Sequence, residues 1–142
     1  MALQSNPYDQ YKKTQVNTAS QGKLIVMLYD GAIKFLTIAA ESMEPKTYDI
    51  VNHNIIRAQD IITELISSLN LDSGGEIANN LLSLYLYFKK RLLEANMQKD
   101  SKILEEVMKH LRELRDAWNE ISNKESSNDN AGDRKGSFSI EG

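Results

Sequence analysis

The chain has 142 residues, 41% of them hydrophobic and 26% charged, with a net charge of −3. That suits a single globular domain and leaves no broad electrostatic case for nucleic acid. The absence of cysteine excludes disulfides, zinc–thiolate sites and cysteine nucleophiles, and the longest apolar run, Leu24 to Tyr29, is far short of a membrane span.

Asn6-Pro7 reads as a helix start, with Asn as N-cap and Pro at the first helical position. A short helix from Pro7 to about Lys13 places Tyr8 and Tyr11 on one face. So short a helix is not stable alone. It is expected to lie on a larger body, either as a packed tether or as a detachable cap over a binding groove.

Thr18 or Ser20 caps the next helix, which runs to about Met43. Its polar residues, Lys23, Asp30, Lys34, Thr37 and Glu41, fall on one narrow seam at roughly 100° per residue. All other directions are apolar, which predicts a helix surrounded by others on most sides. Gly31 in mid-helix costs about 1 kcal/mol against Ala and signals close packing or room for a partner.

A second helix is predicted from Lys46 or Thr47 to Leu69, with the seam Val51, Ile55, Ala58, Ile62, Leu65 and Leu69. Ile50, Ile56, Ile61 and Ile66 lie off that seam and widen the apolar surface. Ser73 and Glu76 read as a capping box opening a third helix, to about Met97. One of its stripes is Ala78, Leu81, Tyr85, Phe88, Leu92 and Ala95, and a second is Leu82, Leu86, Leu93 and Met97. Asp100 caps a fourth helix, Ser101 to about Asn123, with the stripe Ile103, Val107, Leu111, Leu114, Trp118 and Ile121.

Short connections make successive helices antiparallel neighbours. The expected fold is all-α, an antiparallel up-down four-helix bundle with a short N-terminal accessory helix. Residues 1–123 form one domain, and 124–142, with little to bury, form a disordered tail.

No catalytic apparatus is visible. A di-iron bundle needs paired E-x-x-H motifs, whereas Glu106 and His110 stand four apart and His53 has no nearby glutamate. His53-Asn54-Ile55-Ile56 is only a loose echo of a phosphotransfer histidine, and no P-loop or nucleophile elbow occurs. No enzyme activity, metal or cofactor is expected. What remains is surplus apolar surface on the second and third helices beside a weakly held tyrosine segment. That fits docking of an apolar or amphipathic segment of another chain, or self-association of the bundle.

Asn6-Pro7-Tyr8-(x2)-Tyr11, Val16-Asn17-Thr18-Ala19-Ser20 and Met27-Leu28-Tyr29-Asp30-Gly31 resemble the N-terminal signature of the flagellar secretion chaperone FliS family. The likeness continues in Leu84-Tyr85-(x)-Tyr87-(x3)-Arg91-Leu92-(x2)-Ala95-Asn96, Glu106-Val107 and Asp116-Ala117-Trp118, and covers residues 6–122. Gln21 stands where the family usually has proline, and Lys90 where it often has arginine.

The resemblance implies a cytoplasmic export chaperone. Its partner would be the C-terminal region of flagellin, kept from premature polymerisation and delivered to the flagellar type III export apparatus. Other flagellar export or regulatory proteins are further partners, with no nucleic acid and no membrane insertion, in a monomer or weak homodimer. The N-terminal tyrosines, Tyr8 and Tyr11, would cover part of the groove. On that reading the partner-binding residues are Tyr8, Tyr11, Ile55, Ala58, Ile62, Leu65, Leu84, Tyr85, Tyr87, Arg91 and Asn96. Ile55, Ala58, Ile62 and Leu65 form the most regular seam and read equally well as core.

Overall fold

A computed structural model describes residues 18–136, with side chains for 21–124. The helix expected at Pro7–Lys13, with Tyr8 and Tyr11, lies outside the described residues. Helix α1 spans Thr18–Glu41, α2 Tyr48–Ser67, α3 Gly75–Gln98 and α4 Ser101–Gly136, with a 3-10 turn at Pro45–Thr47 before α2. No strand occurs among the described residues, and the fold is the expected all-α bundle. Two compact units are distinguished: residues 27–115, and a smaller one made from residues 18–26 and 116–136.

In the larger unit the cross-helix contacts give the direction of every helix. Gly31 approaches Ile61 and Phe35 lies under Arg57, so α1 and α2 run antiparallel. Asn52 meets Asn96 and Thr63 meets Lys89, so α2 and α3 do as well. Glu106 faces Arg91 and His110 stacks on Phe88, which sets α4 against α3. Asp30 pairs with Arg115 and Thr37 with Met108, which closes the ring from α4 back to α1.

The core fills with the stripes that the spacing picks out. Val51, Ile55, Ala58, Ile62 and Leu65 of α2 have no exposed surface, and neither do Phe88, Leu92 and Ala95 of α3. Burying a large aliphatic or aromatic side chain contributes about 1.5–3 kcal/mol relative to leaving it in water. On α4 the buried stripe is wider than expected, since Leu104 and Met108 join Ile103, Val107 and Leu111. Asn54 is the buried polar residue of α2, and its Nδ2 donates to the Ile50 carbonyl at 2.9 Å.

Helix α1 departs from expectation. Only Tyr29, Ala32, Leu36 and Ala39 of its part of this unit are fully buried. Met27 is 54% exposed among the polar seam. The helix is one member of a ring of four, so its flanks are half covered by α2 and α4 and it is not enclosed. Gly31 is the close approach to α2: a Cβ there would stand 3.0 Å from Ile61 Cδ1.

Across the middle of the bundle the hydroxyls of Tyr29 and Tyr85 hydrogen-bond to each other, with ring centroids 6.4 Å apart. This ties α1 to α3, which face each other diagonally across the ring. Burial raises the Tyr85 hydroxyl above its usual pKa, so it stays a neutral donor or acceptor. Tyr29→Phe strands that hydroxyl and is expected to cost about 1–3 kcal/mol in denaturant unfolding. Adding Tyr85→Phe removes the stranded group. The double variant should therefore be more stable than Tyr29→Phe alone, and a less stable one would refute the pairing.

The turns correct two expectations. The Ser73–Glu76 capping box does not form. Helix α3 begins at Gly75 with Gly74 as N-cap and no side-chain cap bond. The Ser73 N–H is taken by Asn70 Oδ1 at 3.1 Å and the Gly74 N–H by the Asn70 carbonyl at 2.6 Å. A Cβ at Gly74 would lie 2.4 Å from that carbonyl oxygen, and Gly75 has φ +63°. The tight turn therefore needs both glycines, and it leaves no room for the box geometry. Asp100 caps α4 as expected, its Oδ1 accepting from the Lys102 N–H at 2.9 Å. Lys99 before it adopts φ 51°, held by Nζ bonds to the Asn96 carbonyl at 2.7 Å and Oδ1 at 2.8 Å.

In the smaller unit Gly22 lies against Ser122, whose Cβ and Oγ would each be 3.1 Å from a Cβ at position 22. Ile121, expected on the buried stripe, is 45% exposed. Helix α4 runs on to Gly136 where the expected end was near Asn123. No proline interrupts residues 124–136, and adding a residue to an existing helix is far easier than nucleating one.

Candidate functional site

No described helix covers the second apolar stripe of α3. Leu86 and Leu93 are each 53% exposed and Met97 is 74% exposed, while Leu82 is half-buried. Ile56 of α2, 47% exposed, extends the same face. Two side-chain links pin the helices together there. Asn96 Nδ2 donates to Asn52 Oδ1 at 2.8 Å, and Lys89 Nζ to Thr63 Oγ1 at 2.5 Å. Ile56 on α2 and Leu93 on α3 fall between these links in the register of the two helices. The result is an exposed apolar face on two helices that polar side chains link to each other.

The structure divides the residues that the sequence singled out. Ile55, Ala58, Ile62 and Leu65 are fully buried, and Tyr85 is nearly so with its hydroxyl turned to Tyr29. None of these five offers surface to a partner. They are core, and they shape the face from beneath. Leu84, Arg91 and Asn96 are half-buried and Tyr87 is exposed, all on α3. Tyr8 and Tyr11 lie outside the described residues. The residues that carry the exposed face, Ile56, Leu86, Leu93 and Met97, were not singled out as contacts. Their signal in the sequence is that each is apolar and lies off the stripe that packs the core.

Tyr87 and Arg91 belong to a polar cluster between α3 and α4. The Tyr87 hydroxyl donates to Glu106 Oε2 at 2.6 Å, and Arg91 bridges Glu106 at 2.7 Å and Glu94 at 2.6 Å. Arg91, followed by Tyr87, holds the Glu106 carboxyl below the usual carboxylate range, and the bond to Glu106 raises Tyr87. A lowered carboxyl stabilises the fold above the ordinary carboxylate pKa, and that contribution is lost as pH falls through the depressed value. A raised tyrosine acts in the opposite direction, its contribution being lost as pH rises through its own value. Glu106→Gln should therefore be less stable than wild type at neutral pH, and the gap should close in acid. A gap independent of pH would mean that the Glu106 charge is not what stabilises the cluster.

The two histidines are occupied locally. Arg57 Nε donates to His53 Nε2 at 3.0 Å, and His110 stacks on Phe88 with Nδ1 3.7 Å from Glu113 Oε1. Among the described residues no three of His, Cys, Asp or Glu are grouped to hold a metal ion. Among the same residues no helix is long and apolar enough to cross a membrane.

Known proteins share this chain's sequence over most of its length. A family model for the flagellar protein FliS matches residues 4–125. The flagellar secretion chaperone FliS of Bacillus subtilis is 41% identical over 118 residues, covering 83% of this chain and 86% of that protein. Its counterpart in Salmonella typhimurium is 38% identical over 115 residues, covering 80% and 85%. That of Vibrio cholerae is 34% identical over 115 residues, covering 78% and 85%. With a match this long and a bundle of this architecture, the chain belongs to the FliS family of flagellar secretion chaperones.

Proposed function

We propose that this chain is a cytoplasmic chaperone that binds the C-terminal region of flagellin, prevents its premature polymerisation and supports its secretion through the flagellar type III export apparatus. The observation that carries this reading is the exposed apolar face of α2 and α3 on a chain of this family. An amphipathic client segment would place its apolar anchors over Ile56, Leu86, Leu93 and Met97, with Leu84, Tyr87, Arg91 and Asn96 at the margins. Ordering that segment costs conformational entropy, so the buried area must be large for useful affinity. Tyr8 and Tyr11 would compete for the same surface as a cap. Apparent affinity then falls by the fraction of molecules in which the cap is open.

The test is calorimetric titration of the full chain with the C-terminal segment of its own organism's flagellin. The expected result is one-to-one binding, micromolar or tighter, with a negative heat-capacity change. Removing residues 1–13 should tighten it. No heat at two temperatures, with the segment shown competent by an independent partner, would overturn the reading. The exposed face would then belong to self-association, which a mass that falls on dilution would reveal.

A further inference from the structure

Helix α3 carries three consecutive basic residues, and the fold treats them differently. Lys89 is tied to Thr63 across the seam, and Arg91 is ion-paired to Glu94 and Glu106. Lys90 is exposed and makes no ion pair with any described residue. Glu94, one turn further along the helix, is taken by Arg91, and the exposed Asp60 of α2 makes no ion pair with any described residue.

Lys90 follows Leu86 by four residues and precedes Leu93 by three and Met97 by seven. At roughly 100° per residue these four side chains share one narrow arc of the helix. Lys90 thus stands at the edge of that apolar arc and, lengthwise, between Leu86 and Leu93. Any segment that covers Leu86 and Leu93 must also close over Lys90. Its aliphatic stem can join the apolar contact, but its ammonium must keep water or gain an acceptor. Covering it without an acceptor would forfeit much of what burial of the leucines provides.

We infer that the segment bound here is an amphipathic helix bearing a carboxylate between two apolar anchors, and that Lys90 selects for that carboxylate. The helical form follows from the receiving surface, whose apolar positions Leu82, Leu86, Leu93 and Met97 step by four, seven and four along one helix and are extended laterally by Ile56 of α2. The charge follows from Lys90. This inference rests on the proposed binding of flagellin, since it specifies what that segment must carry where it crosses α3.

The experiment is calorimetry of the full chain with the C-terminal segment of its own flagellin, at low and high salt. Lys90→Met keeps the length and apolar stem and removes the charge. It is expected to weaken binding about tenfold at low salt and to remove most of the salt dependence. Lys90→Glu should weaken it further, and changing one carboxylate of the segment to lysine should restore binding to that variant alone. Lys90→Met binding as tightly as wild type, or more tightly, would overturn the selection while leaving flagellin binding in place. No binding of the wild-type chain would overturn both. Lys90 is exposed, so neither substitution disturbs the core.

Discussion

Replacing Ile62 with alanine is expected to lower the unfolding free energy by about 2–5 kcal/mol. The side chain has no exposed surface and lies on the fully buried stripe with Ala58 and Leu65. Two of its neighbours on that stripe, Ile55 and Leu65, are equally enclosed, so the bundle has no loose side on which to collapse into the cavity. The same change at Ile56, 47% exposed, should cost less than about 1 kcal/mol, because about half of its surface is already in water. Urea unfolding followed by circular dichroism would compare the two. Equal and small losses would mean that the α2 seam is not core and would return Ile62 to the candidate contacts.

The opposite ordering is expected for client binding. The double substitution Leu86→Glu and Leu93→Glu should weaken flagellin-segment binding at least about a hundredfold, equivalent to about 2.7 kcal/mol. Both leucines are 53% exposed in the free chain, so folding loses little when they change. In a complex they become central. A carboxylate placed there is dehydrated against the client's apolar anchors, which offer it no hydrogen-bond donor. Unfolding free energy should shift by less than about 1 kcal/mol for the pair. Binding within a few-fold of wild type would remove α3's outer stripe from the client site. A large loss of stability would show that these leucines are held by the chain's own bundle.

These two experiments probe the point at which sequence reasoning stopped. On α2 and α3 periodicity assigned residues to faces correctly: Val51, Ile55, Ala58, Ile62 and Leu65 share a stripe, as do Leu86, Leu93 and Met97. It does not say which stripe a neighbouring helix covers, because that depends on side chains far away in the chain. Ile55 and Ile56 are the same residue type at adjacent positions, yet one is fully buried and the other half in water. Tyr85 and Tyr87 split the same way, one paired to Tyr29 in the core and one paired to Glu106 at the surface. The regular seam reads equally well as core and as binding surface; regularity marks whatever packs best, and what packs best here is the core.

Local signals fared unevenly for related reasons. Asp100 capped its helix as its position before Ser101 predicts, its carboxylate taking the Lys102 N–H. Ser73 failed because Asn70, three residues earlier, had already captured its N–H. Lys99 in a left-handed conformation was invisible, since glycine is the usual residue there and nothing in the local sequence signals the Asn96 contacts that compensate.

That left-handed Lys99, followed at once by the Asp100 cap, bears on the order in which the bundle assembles from an unfolded chain. It joins α3 to α4 so tightly that the Arg91–Glu106 pair closes a loop of only 15 residues, whereas Asp30–Arg115 spans 85. Loop-closure entropy alone separates those two events by about 1.5 kcal/mol. The α3–α4 hairpin is therefore the favoured folding nucleus, and the α1–α4 contact that closes the ring should form late. Much of the client-facing stripe would then stand on the part of the molecule that organises first.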